Sequence, residues 1–136
     1  MSRSTFILLV SVYSLLVVLY MWFVPVAALE GFGLPAPDKY HITQHQLMSM
    51  PILGLSIVGL MVRHAAPSVG LRAYLVGNAT NLIGFVALSA YESIARDIPF
   101  TTLFLVDSLW RLLLGLGLVY YMERLKSVVA AAYGKA

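Results

Sequence analysis

The sequence contains no cysteine. This absence excludes disulfide bonds, thiolate nucleophiles and cysteine-ligated metal centres, although it does not indicate a cellular compartment. The sequence also has no Ser-His-Asp set, no glycine-rich phosphate loop and no His-Glu-x-x-His motif. Hydrolase and phosphotransferase activities therefore have no support, and we predict that the protein is not an enzyme.

Charge is scarce as well. Only 11% of the residues are charged and 60% are hydrophobic, and the mean hydropathy is +0.87. Soluble domains carry about 25% charged residues, so this composition predicts an integral membrane protein whose first partner is the lipid bilayer. The net charge of +3 is spread along the chain and does not indicate a nucleic-acid partner, which would require a clustered basic surface.

Four apolar stretches are long enough to cross a bilayer. Residues 4–29, 40–62 and 73–91 contain no Asp, Glu, Lys or Arg, and residues 98–122 contain one acid and one base. A transmembrane helix needs roughly 17–25 apolar residues. The first stretch exceeds the roughly 7–15 residues of a secretory h-region, so we expect it to be retained. The sequence therefore predicts an all-α membrane protein with a single domain, 1–136, and four transmembrane helices at about residues 6–29, 44–62, 69–96 and 99–122.

Basic residues are divided unequally between the two sides that four crossings create. Lys39 and Arg96 lie on one side, and six lie on the other: Arg3, Arg63, Arg72, Arg124, Lys126 and Lys135. The positive-inside rule places the side with more Lys and Arg in the cytoplasm. We therefore predict an up-down bundle with both termini cytoplasmic, in the cytoplasmic (inner) membrane.

Local motifs predict where two of these helices begin. Thr43 followed by Gln46 resembles a capping box, which places the start of the second helix at about residue 44. Asp97 followed by Pro99 is typical of an N-cap with an early proline, which places the start of the fourth helix near residue 99. We expect the loop at residues 30–40 to be irregular because it contains two glycines and two prolines.

Small and apolar residues also predict how the helices pack. Ala73, Gly77 and Gly84 recur at helical spacing in the third helix, so we expect a neighbouring helix to approach closely there. Residues 123–136 are predicted to form an interfacial extension on the inner leaflet. Its apolar stripe consists of Leu125, Val128, Val129 and Ala132.

The most informative feature is a pair of charges inside the fourth apolar stretch. Asp107 and Arg111 are four residues apart, so on a helix they share one face and can form an ion pair. Each charge alone would cost roughly 2.5–3.5 kcal/mol at the bilayer centre. Asn78 and Asn81 lie at a similar depth on the preceding helix. We predict that these four residues form an intramembrane polar cluster.

Several roles are open for this cluster. The favoured one is structural, in which Asp107 and Arg111 are sealed between the third and fourth helices near Asn81 and bond the two helices together. The alternatives are a proton or ion path, a contact from Arg111 to a ligand carboxylate or quinone, and a contact with the polar group of a partner subunit. Trp110 lies beside Arg111 and faces either lipid or a pocket.

Two histidines at the start of the second helix suggest a metal site only weakly. His41 and His45 have the i, i+4 spacing that binds metal on a helix. The predicted cap at Thr43 places His41 before the helix, so we expect no metal site there. His45 and His64 lie at opposite ends of the second helix and cannot ligate one haem iron. The sequence identifies no cofactor.

From these observations we predict an accessory or scaffold subunit of a larger membrane complex, or a homo-oligomer. A bundle of four helices has a thin interior, which disfavours a conventional alternating-access transporter. Its expected partners are lipid and either other membrane subunits or a second copy of the chain. The alternatives are a small transporter or channel subunit that uses Asp107 and Arg111, and a membrane protein that binds a lipid or quinone.

Overall fold

The chain forms α-helices joined by short loops. The computed structural model describes residues 1–133, and it describes side chains through residue 126. Four of the helices in this range are long and apolar enough to cross a membrane, so the chain is a multi-pass, all-helical membrane protein. The helices are α1 (Arg3–Phe23), α2 (Pro25–Gly31), α3 (Lys39–Val62), α4 (Val69–Ala95) and α5 (Thr102–Tyr133).

The first predicted helix is divided into two, so its predicted range of 6–29 is wrong. α1 ends at Phe23, and Pro25 is the first residue of α2. Between them Val24 has φ −134° and ψ 51°, outside the helical region. A proline disfavours the helical conformation in the residue before it and is well tolerated at the first position of a new helix. The break at Val24 follows from this preference.

The second predicted helix begins earlier than predicted. Asp38 is the N-cap of α3, and its Oδ1 accepts hydrogen bonds of 2.9 Å from the backbone N–H groups of Tyr40 and His41. The bond from His41 is the main reason why the pKa of Asp38 lies below its ordinary value. Thr43 lies inside the helix, where its hydroxyl donates to the carbonyl of Lys39. The prediction of a capping box at Thr43 was therefore wrong.

The start of the last helix and its end also differ from the prediction. Thr101, not Asp97, caps α5, because its hydroxyl accepts a 3.1 Å bond from the N–H of Phe104. Asp97 has φ +54°, which takes it out of the helix. α5 then continues without a break to Tyr133, so residues 123–133 extend the last span rather than forming a separate element. In the predicted stripe Leu125 is buried, and Val128, Val129 and Ala132 lie outside the described side chains.

The long helices pack as two hairpins. In the first hairpin, α1 packs antiparallel to α3: Arg3 Nη2 donates to the Ala65 carbonyl at one end, and Trp22 Nε1 donates to Ser49 Oγ at the other, both at 2.6 Å. In the second hairpin, α4 packs along α5. The backbones of the two hairpins come close to each other at far fewer positions.

The two hairpins meet at both ends of the bundle. Tyr121 of α5 donates a 2.7 Å hydrogen bond to the Met1 carbonyl at one end. Thr101 donates to the Gly31 carbonyl at the other. The hydrophobic core lies toward the Met1 end, and its fully buried members include Ile7, Val10, Leu75, Leu82 and Leu118. The Gly31 end is less filled, and this is where the candidate site lies.

Close helix packing does not use the glycines that the sequence singled out. A Cβ added at Gly77 or Gly84 would meet nothing within 4 Å, so the predicted close approach at these glycines is wrong. α4 instead meets α5 at Gly115, where an added Cβ would lie 2.6 Å from Ile83 Cγ1. Residues three or four apart share one face of a helix, so the spacing placed these glycines on a common face but did not show whether that face contacts α5.

Candidate functional site

Asp107 and Arg111 form the ion pair that their spacing predicts. Arg111 Nε donates to Asp107 Oδ2 at 2.5 Å. The side chains are 3% exposed for Arg111 and 12% exposed for Asp107. Both charged side chains are thus buried within the protein, as an intramembrane pair requires.

Two aromatic residues complete this pair. The hydroxyl of Tyr13, from α1, donates a 2.5 Å hydrogen bond to Asp107 Oδ1. The guanidinium carbon of Arg111 lies 4.1 Å from the centre of the Phe85 ring, from α4. A cation held over an aromatic ring is stabilised by about 0.5–2 kcal/mol. Side chains from both hairpins therefore fix the orientation of Asp107 and Arg111.

Tyr13 was missed as a site residue, although the sequence carried a signal. Most tyrosines of this chain lie near the ends of the apolar stretches, where aromatic side chains anchor to the membrane interface. Tyr13 lies in the middle of the first stretch instead. A tyrosine hydroxyl at that depth needs a polar partner within the protein. The partner is Asp107.

A cavity of about 590 Å³ separates the two hairpins. We call it the inter-hairpin cavity. Arg111, Asp107 and Asn81 are among its lining residues, and we call this polar part of the wall the base; His45 and Glu92 also line the cavity. From Asn81 to Glu92 the cavity follows α4 for eleven residues, about 16 Å at 1.5 Å per residue. Most of the wall is apolar and includes Met21, Phe85 and Phe104.

The cavity overturns the expectation that the ion pair is sealed between two helices. Asp107 and Arg111 both border open space, and so does Asn81. Asn78 does not line the cavity: its Nδ2 donates a 2.9 Å bond to the hydroxyl of Tyr74, and its Oδ1 is buried without a partner among the described residues. Three of the four predicted site residues thus line one cavity, whereas Asn78 lies against the hydrophobic core.

Exposed lining residues on both α3 and α4 indicate that the cavity opens between these two helices. The lining residues Met48 of α3 and Leu88 of α4 are each 62% exposed, and Pro51 of α3 is exposed beside them. These apolar residues form the rim of the opening. The opening therefore lies along the sides of two candidate membrane spans.

The two histidines of α3 occupy different environments. His41 is exposed and lies 2.8 Å from Asp38, whereas His45 lines the cavity and has a buried Nε2 without a hydrogen bond within the described chain. Both lie within α3, so the argument that a cap at Thr43 separates them was wrong. No group of three potential metal ligands occurs in the part of the chain that the structure describes.

Trp110 does not line the cavity. Its ring packs edge-on against Tyr13, with 6.4 Å between the ring centres, and 41% of the residue is exposed. Trp110 therefore lies at the exposed surface of α5 and packs against the Tyr13 side chain.

The base of the cavity is suited to binding a small polar group. Arg111 supplies N–H donors and Asn81 supplies an amide, while Asp107 balances the positive charge. Glu92, which also lines the cavity, is paired with Arg96 at 2.6 Å. The chain matches no protein-family model, and neither a curated protein nor a solved structure resembles it significantly.

Proposed function

We propose that this protein holds a small amphipathic molecule, of the lipid or quinone class, in the inter-hairpin cavity. The observation that carries the proposal is a mostly apolar cavity of about 590 Å³ with a buried ion pair at its base. Ligand pockets have volumes of roughly 300–1,000 Å³, apolar walls and a few well-placed polar groups. The inter-hairpin cavity has all three properties.

The placement of the ion pair favours binding over a purely structural role. Charges that only join helices are best surrounded by protein, because open space beside them leaves hydrogen-bonding capacity unused. Arg111 and Asn81 face such a space. A bound molecule with a polar group at the base would satisfy them.

The proposal includes an orientation in the membrane. The six basic residues on one side against two on the other support an up-down bundle with both termini in the cytoplasm and with the inner membrane as its location. In that orientation the base lies near the middle of the bilayer. His45 and Glu92 then lie toward the outer surface, and the opening between α3 and α4 faces the outer leaflet.

Native mass spectrometry with a pair of tryptophan variants tests the binding function. Ser89→Trp places a large side chain in the cavity, whereas Ala87→Trp adds the same side chain at an exposed position of α4 that does not line it. We expect the wild-type protein and Ala87→Trp to retain a bound small molecule after gentle detergent extraction. Ser89→Trp is expected to lose it. Equal occupancy in all three proteins would contradict the proposal.

A second candidate function is that of an accessory subunit or homo-oligomer, and one observation favours it. Gly77, Thr80 and Gly84 are exposed along one face of α4, beside a groove of about 430 Å³ that Val119 and Met122 of α5 also line. Small residues let another helix approach closely in a membrane. This face is separate from the cavity, so both functions can exist in one protein.

A further inference from the structure

On the basis of the proposed function, we infer the chemistry of the ligand and its route. The ligand is a neutral, lipid-soluble molecule with a hydrogen-bond-accepting head, such as a quinone carbonyl. Its head lies at the base beside Arg111 and Asn81, and it enters from the bilayer through the opening between α3 and α4. Charge, hydrogen-bonding capacity and access each support this inference.

The charge at the base indicates a neutral head. Asp107 and Arg111 carry opposite charges and are paired at 2.5 Å, so the base has no net charge to compensate an ion. A ligand carboxylate would approach Asp107, and a ligand ammonium group would approach Arg111. An additional buried charge without its own counter-ion is strongly unfavourable. A neutral head avoids this cost.

The hydrogen bonds at the base indicate an acceptor. Tyr13 donates to one oxygen of Asp107 and Arg111 donates to the other, so both carboxylate oxygens already have a donor. The Arg111 bond uses Nε–H, and a guanidinium has five N–H donors in all. The amide of Asn81, which also lines the cavity, adds further donors. The base is therefore rich in donors, which match carbonyl oxygens.

The opening indicates entry from lipid. Its rim consists of the exposed apolar residues Met48, Pro51 and Leu88. An apolar chain attached to the head can pass between them and remain in contact with hydrocarbon. A water-soluble ligand gains nothing from such a rim. With its head at the base and its chain in this opening, the ligand contacts both the polar and the apolar residues of the cavity.

Four probes with the same decyl chain test the head chemistry. Decylbenzoquinone is neutral and accepts hydrogen bonds, decanoate is an anion, decylammonium is a cation, and decylbenzene has no acceptor. Calorimetric titration of the purified full-length protein in nanodiscs gives the dissociation constants. We expect decylbenzoquinone to bind at least ten-fold more tightly than each of the other three.

The outcomes separate this inference from the proposed function. Tighter binding of decanoate or decylammonium would overturn the neutral head, and equal binding of decylbenzene would overturn the role of the acceptor, while both results would leave the cavity as a binding site. Binding of none of the four probes would overturn the proposed function together with the inference.

Variants test the base and the route, and they leave the ion pair unchanged. Asn81→Leu removes amide donors with little change in volume, so we expect decylbenzoquinone affinity to fall about ten-fold and decylbenzene affinity to be unchanged. Leu88→Trp narrows the opening and is expected to slow decylbenzoquinone association at least ten-fold. Ile94→Trp, an exposed position of α4 away from the cavity, is the matched control. An unchanged association rate in Leu88→Trp would overturn the lateral route.

Discussion

Tyr13 and Asp107 lie 94 residues apart, and the hydroxyl of Tyr13 donates a 2.5 Å hydrogen bond to Asp107 Oδ1. This bond joins α1 of the first hairpin to α5 of the second, beside the base of the inter-hairpin cavity. It adds a polar contact to the hydrophobic packing of α1 against α5, in which Ile7 and Val10 share a core with Leu118. Tyr13 therefore has two effects, because it holds the carboxylate in place and connects the hairpins.

Removal of the Tyr13 hydroxyl is expected to destabilise the fold. A hydrogen bond to a charged group contributes about 1.5–3 kcal/mol, and Tyr13→Phe should lower the free energy of unfolding by that amount. Tyr120→Phe is the control because Tyr120 is 54% exposed on α5. The free energy of unfolding of both variants is measured in mixed detergent micelles. Equal stability of Tyr13→Phe and the wild-type protein would contradict a stabilising role for this bond.

Neutralising one partner of the ion pair is expected to cost more than removing both. Asp107→Ala leaves Arg111 buried without its counter-ion, and the loss of one partner of a buried pair costs roughly 3–5 kcal/mol. The double variant Asp107→Ala with Arg111→Leu removes the uncompensated charge, so it should be more stable than the single variant. Unfolding titrations of the three proteins provide the comparison.

Ser108→Ala is the matched control for this comparison on α5. Ser108 is buried, and its hydroxyl has no hydrogen-bond partner among the described residues. Its removal should change the free energy of unfolding by no more than about 0.5 kcal/mol, or should stabilise the protein, because an unpaired buried polar group is lost. A double variant no more stable than Asp107→Ala would show that pairing is not what holds Arg111.

Two glycines in the second hairpin are expected to respond oppositely to alanine. At Gly115 the new methyl group would lie 2.6 Å from Ile83 Cγ1, and overpacking of this kind costs about 1–3 kcal/mol. At Gly84 the methyl group meets nothing within 4 Å, so the monomer should gain up to about 1 kcal/mol from the higher helix propensity of alanine.

The same pair of variants separates the two candidate functions. If α4 packs against another helix through its small residues, Gly84→Ala should weaken that association while the monomer stays folded. Analytical ultracentrifugation in detergent, alongside unfolding measurements, distinguishes these effects. Unchanged association in Gly84→Ala would count against the accessory or oligomeric function.

Single cysteines should label from opposite sides of the membrane. The chain has no native cysteine, so Pro35→Cys in the loop after α2 and Ala66→Cys in the loop after α3 give unambiguous signals. Both positions are exposed. Gly33 is a poorer choice because its φ of +94° would strain a cysteine. We expect an impermeant thiol reagent to label Pro35→Cys from outside intact cells and Ala66→Cys only after lysis. Labelling of both from outside would contradict the four-crossing orientation.

The sequence predicted the class of protein and its charged pair correctly. Four spans follow from the length of the apolar stretches, and these depend only on composition. The ion pair between Asp107 and Arg111 follows from their spacing within a single helix. Each inference needed only local information, so neither depended on how the helices pack.

Predictions that required a choice between two nearby residues that can both cap a helix were less accurate. Thr43 and Asp97 are both reasonable caps, but Asp38 and Thr101 occupy the cap positions instead. A cap motif shows that a residue can end a helix, and the choice between two such residues depends on the loop that leads to them. The division at Val24 has a local cause in Pro25, yet the apolar pattern continues across it.

The cavity could not be predicted because it depends on which helices are partners. The prediction paired the third and fourth spans and then sealed the ion pair between them. α4 and α5 are indeed neighbours in the structure. Asp107 and Arg111, however, line the cavity between these two helices and the hairpin of α1 and α3. The contact from Tyr13 to Asp107 belongs to the same gap. Only the arrangement of the two hairpins reveals this space.

The ion pair lies entirely within α5, and this has a consequence for synthesis of the protein. α5 leaves the ribosome after α1 and α4, and it carries the counter-ion of Arg111 one turn away in the same helix. The helix can therefore enter the bilayer with its charges already matched, before it finds α1 or α4. Tyr13 of α1 and Phe85 of α4 are synthesised earlier, and they contact the ion pair only after α5 has been made. The contacts of the ion pair with the earlier helices therefore form after the pairing within α5.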